Sequence, residues 1–174
     1  ELPSLLLQVH ASAPMLLLPV LPLLKAQLED LSDATRLRTA EILLSTFTHP
    51  DACAASLGNA EGEGRSFSDH YSDVLDALIR RFADGAPAVR SALLGGATAL
   101  AGALAGAHGK AHANVLSGAA RRLCDPDASV RAAAVRALCS LAAADACRSS
   151  APPALKSLSP LLPLPGRLAG AVYS

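Results

Sequence analysis

The chain has 174 residues, with 15 basic and 15 acidic side chains and no net charge. It lacks the basic excess of a duplex-DNA binder, so direct nucleic-acid binding is not expected. Aromatic residues make up 3% and Trp is absent, leaving an apolar mass of Leu, Ala and Val that suits close-packed helices over a β-sandwich.

Leu2 to Leu24 contains no Asp, Glu, Lys or Arg and is long enough to raise the question of a membrane helix or a signal-peptide core. Pro3, Pro14, Pro19 and Pro22, together with Ser4, Gln8, His10 and Ser12, argue against a span, and no basic leader precedes it. The stretch reads as the tail of one helix, Leu5 to Val9, then a first helix from Met15 to Leu28 bent by Pro19 and Pro22. The opening at Glu1 instead of Met makes the sequence read as part of a larger chain.

Glu29 to Ala34 is a turn, and Thr35 to Phe47 is a second helix with Ala40, Leu43, Leu44 and Phe47 on one face. Thr48 to Ser66 holds Gly58-Asn59 and Glu61-Gly62-Glu63-Gly64 and reads as an exposed loop inserted between repeats. Ser68 to Phe82 is the next first helix, with apolar Tyr71, Val74, Leu75, Leu78, Ile79 and Phe82. Its partner, Ala88 to Ala105, is uncharged beyond Arg90 and punctuated by Gly95, Gly96 and Gly102. Gly102-x-x-x-Gly106 resembles a membrane dimer motif, but the repeat register runs through it. A buried helix whose small residues let a neighbour approach is the better reading, at about 1 kcal/mol per interior Gly relative to Ala.

Ala113 to Cys124 and Val130 to Ala144 form a third pair, Asp145 to Ser150 a turn, and Pro152 or Pro153 opens a partial unit. Cys53, Cys124, Cys139 and Cys147 form no C-x-x-C pair and read as buried, reduced thiols. His108 and His112 have metal-ligand spacing but no third ligand nearby, so no metal site is expected. Catalytic motifs are missing as well: there is no His-Glu pair, no G-x-S-x-G and no phosphate-binding Gly loop. No catalytic residue and no cofactor are assigned, and the chain is expected not to be an enzyme.

One wording recurs. Asp30, Asp84 and Asp125 are each followed six residues later by an arginine: Arg36, Arg90 and Arg131. Two positions before each Asp stands Leu28, Phe82 or Leu123, and nine before stands Leu21, Leu75 or Leu116. From Val130 onward Ala134, Val135, Leu138 and Leu141 continue one helix face. Arg90 and Arg131 lie 41 positions apart, the period of HEAT-type helix pairs. The fold expected is all-α, with HEAT-like helix pairs stacked into a right-handed α-solenoid. It is one segment over 1–174, with pairs at 14–47, 67–105 and 111–144, a partial unit at 152–163 and a loop at 48–66. Each Asp stands where a carboxylate can cap the next helix. The arginines, recurring in register, should form a ladder beside those carboxylates. Leu123 should be buried between units.

The order of these wordings carries a resemblance. Leu21-Pro22-Leu23-Leu24 comes first, then Arg36-x3-Ala40-x2-Leu43-Leu44. Leu78-Ile79-Arg80-Arg81-Phe82-Ala83-Asp84-x4-Val89-Arg90 follows, and Arg121-Arg122-Leu123-Cys124-Asp125-Pro126-Asp127-x2-Val130-Arg131 is last. Over about residues 14 to 141 this resembles the cohesin-associated sister chromatid cohesion proteins of the "precocious dissociation of sisters" family. The resemblance implies a nuclear, non-enzymatic scaffold whose partners are cohesin subunits and their regulators. A transport receptor, a phosphatase scaffold or a HEAT-type tetrapyrrole lyase would use the same units.

Arg80, Arg81, Arg121 and Arg122 occupy equivalent places in successive repeats. They form a candidate basic patch for an acidic peptide, unless they only complement helix C-termini.

Overall fold

A computed structural model of the chain describes residues 5, 6, 8, 9, 12, 16, 19–50, 67–105 and 109–148, with side chains as far as Ala144. Most of the 48–66 loop and all of the 152–163 unit lie outside these residues, as does His108.

The described elements are helical throughout, with no strand among them. They are α1 (Val20–Gln27), α2 (Asp33–Phe47), α3 (Phe67–His70), α4 (Ser72–Arg80), α5 (Pro87–Leu104), α6 (Gly109–Arg121) and α7 (Ala128–Arg148). Tight 3-10 turns, Arg81–Ala83 and Arg122–Cys124, close α4 and α6.

Pro19 is the N-cap of α1 and Pro22 falls in its first turn, where a missing N–H costs nothing. The prolines therefore start this helix; they do not bend it. Ser32 caps α2, its hydroxyl accepting the Thr35 N–H at 3.3 Å. The helix expected over Ser68 to Phe82 is broken at Tyr71, which packs its ring 4.7 Å from Phe67. Phe67 in turn meets Phe47 edge-on at 5.4 Å. Pro87 opens α5 from its first turn. The turn expected at Asp145 to Ser150 is helical as far as Arg148, because Ala142 to Ala144 and Ala146 favour the helix and no Pro or Gly interrupts it.

Two layers result. Helices α1, α4 and α6 lie side by side, and α2, α5 and α7 lie side by side behind them, with α5 touching α2, α6 and α7. The core between the layers is aliphatic: Leu21, Leu28, Leu43, Leu75, Leu78, Leu93, Leu100, Leu104 and Leu141 are all essentially inaccessible. Two glycines set the closest approaches. A Cβ on Gly96 would overlap the Leu44 side chain, and one on Gly118 would press on Phe82. The fold is thus all-α and solenoid-like. None of the described helices is long and apolar enough to cross a membrane.

Four side chains depart from expectation. Cys124 and Cys139 are exposed, not buried, because Cys124 sits on a 3-10 turn and Cys139 on the outward face of α7. Val135 is 51% exposed. Leu123 is only partly buried, packed against the edge of the core.

Candidate partner-binding surface

The recurring aspartates and arginines organise the stack. In each turn the Asp carboxylate first accepts a backbone N–H two residues on: Ser32 for Asp30 at 2.7 Å, Ala86 for Asp84 at 2.8 Å and Asp127 for Asp125 at 3.0 Å. This is an Asx turn, not the helix cap expected from sequence. The amides at the start of α7 are met by Asp127, which accepts from Ser129 and Val130.

Each arginine then reaches in two directions. Nη1 donates back to the carbonyls of its own turn: Arg36 to Asp30 and Leu31, Arg90 to Asp84 and Gly85, Arg131 to Asp125 and Pro126. In Arg36 and Arg90, Nε and Nη2 form a fork directed at the next unit. The Arg36 fork grips Asp84 at 3.0 and 2.9 Å, and the Arg90 fork grips Asp125 at 2.8 and 2.7 Å. Both carboxylates are buried, and Arg90 is buried with them. Bidentate pairing in such a site supplies both energy and register.

A second arginine joins each carboxylate from three residues upstream, Arg81 on Asp84 at 3.5 Å and Arg122 on Asp125 at 3.1 Å. The fork from Arg90 holds the Asp125 carboxyl below its usual range, against the opposing effect of burial. For Asp84 burial is the largest influence and pushes upward, but the Arg36 hydrogen bond, the Ala86 N–H and two guanidinium charges together carry it below the ordinary value. The same pairing raises the pKa of Arg36.

The four arginines of the expected patch therefore divide by role. Arg81 and Arg122 are tied into the turns. Arg80 and Arg121 are exposed. They flank a cleft of about 420 Å³ between α4 and α6, floored by Phe82 and Gly118. Lys110 brings a further cation to the lining, and Asp76 is the one carboxylate among its described residues. Asn114 and Ser117 add neutral hydrogen-bonding groups. Lys110, Asn114, Ser117 and Arg121 were not singled out from sequence as a stripe, although their spacing of three and four places them on one helix face. A second cleft, about 330 Å³ between α5 and α7, is lined by small and hydroxyl side chains with Arg136.

No group of His, Cys, Asp and Glu side chains among the described residues is arranged to hold a metal ion.

Stacked helix pairs joined by buried aspartate–arginine forks define a helical-repeat protein. Residues 1–162 match the family described as sister chromatid cohesion protein PDS5, and the chain belongs to that family of cohesion regulators. No match was found among curated proteins.

Proposed function

We propose that the chain is a non-enzymatic, protein-binding segment of a nuclear cohesin regulator, and that its α4–α6 cleft receives an acidic segment of a protein partner. One observation carries the assignment of the cleft. On a chain without net charge, Arg80, Lys110 and Arg121 converge on a concave surface whose lining, among the described residues, holds one carboxylate, Asp76. Guanidinium groups around a partly apolar floor suit carboxylates presented from a helix or an extended strand. Family membership favours this reading over a transport receptor, a phosphatase scaffold or a tetrapyrrole lyase.

The test is fluorescence anisotropy with a labelled Asp/Glu-rich peptide. Arg80→Glu with Arg121→Glu should weaken binding at least about tenfold, and raised salt should weaken the wild type. Affinity independent of both would overturn the assignment of the cleft.

A further inference from the structure

The charges of the α4–α6 cleft have an order along its length. Arg90 donates to the carbonyl of Asp84 in the turn after α4 and to the carboxylate of Asp125 in the turn after α6. Both helices therefore end at the same edge of the stack and run parallel. Both members of two repeat-equivalent pairs, 41 positions apart, line the cleft: Arg80 with Arg121, and Asp76 with Ser117. At about 1.5 Å per residue, Asp76 lies about 6 Å before Arg80 along α4, and Lys110 about 10 Å before Ser117 along α6. From the helix starts to the helix ends the charges thus run Lys110, then Asp76, then Arg80 with Arg121.

Asp76 is not consumed by these neighbours. It is exposed, as are Arg80, Lys110 and Arg121. Among the described residues no ion pair joins it to any of them. Asp73, three residues earlier on α4, is different: it is bound by Lys25 of α1 at 2.8 Å. Nor does the repeat require a carboxylate at this place, since Ser117 holds the equivalent position on α6. A carboxylate in the middle of a cationic cleft repels a uniformly acidic segment. It rewards one that sets a cation opposite it.

We infer that Asp76 determines the specificity of the cleft, and that its partner segment carries one basic side chain between acidic ones. This rests on the reading of the cleft as the seat of an acidic segment. The order of charges also gives the spacing. In an extended segment, at about 3.3 Å per residue, the base stands about three residues from the acid that meets Lys110. It stands about two residues from the acid that meets Arg80 and Arg121. The unequal intervals give the segment a direction.

Fluorescence anisotropy with three labelled peptides tests this. One has the acid–base–acid order at these intervals. The second has the same composition with its lysine moved to one end. The third has glutamate in place of the central lysine. The wild type should bind the first at least about tenfold more tightly than either of the others. Asp76→Asn should bring the first and second within about twofold of each other, and Asp76→Lys should make the third the preferred peptide. Circular dichroism should show both variants folded, since Asp76 is exposed. A wild type that binds all three alike, or a preference unchanged in both Asp76 variants, would overturn the inference. If Arg80→Glu with Arg121→Glu still weakens all three peptides in that case, the acidic-segment reading stands without it. If that double variant changes none of them, both fall.

Discussion

Asp125 shows at the scale of single residues why the stack holds together. Its carboxylate is fully buried and receives two arginines and a backbone N–H. Removing one partner of such a buried pair leaves an uncompensated charge, so Asp125→Ala should cost about 3–5 kcal/mol in a denaturant titration. Asp84→Ala should cost a similar amount. The same residues set the acid limit of stability. Their folded-state pKa values lie below the ordinary 3.8, so their contribution is fully present above that value. It is lost as pH falls below 3.8 through the folded-state values. A melting temperature steady at neutral pH that drops steeply only in that acid range is the expected profile. Arg81 and Arg122 belong to this account: reversing them to Glu would set a like charge against a buried aspartate and lower stability, so such variants are poor probes of partner binding.

Helix α5 makes the same point at the scale of an element. Its glycines looked alike in the sequence, but they differ by neighbour. Gly95 has nothing within reach of a Cβ, whereas at Gly96 the Leu44 side chain already fills that space. Gly95→Ala should raise stability by about 0.5–1 kcal/mol through helix propensity, and Gly96→Ala should lower it by about 1–3 kcal/mol through overpacking. Leu123 was expected from its place before Asp125 to be as buried as Leu28 and Phe82. The unit that would cover it is not among the described residues, and it is only partly buried. Leu123→Ala should therefore cost about 1–2 kcal/mol, below the usual range for a core leucine. Helix existence and pairing were legible because the apolar period and the Asp-turn wording are local signals. The break at Tyr71 and the extension of α7 were not, since both depend on packing and on the absence of a breaker.

For the whole molecule, the repeat made the stack legible, but the division of the four arginines between ladder and cleft needed three dimensions. Arg80 and Arg81 are adjacent in sequence, yet one lines a cleft and the other joins a buried aspartate. Nor could the exposure of Val135 and Cys139 be read from their helical period, which is that of buried positions. The central claim, that this cleft is where a cohesin-associated partner docks, is tested most directly by capture of purified cohesin complex on the immobilised chain. The wild type should retain the complex, and Arg80→Glu with Arg121→Glu should reduce retention at least about tenfold while leaving the melting temperature within about 2 °C. Undiminished capture by that folded double variant would contradict the account.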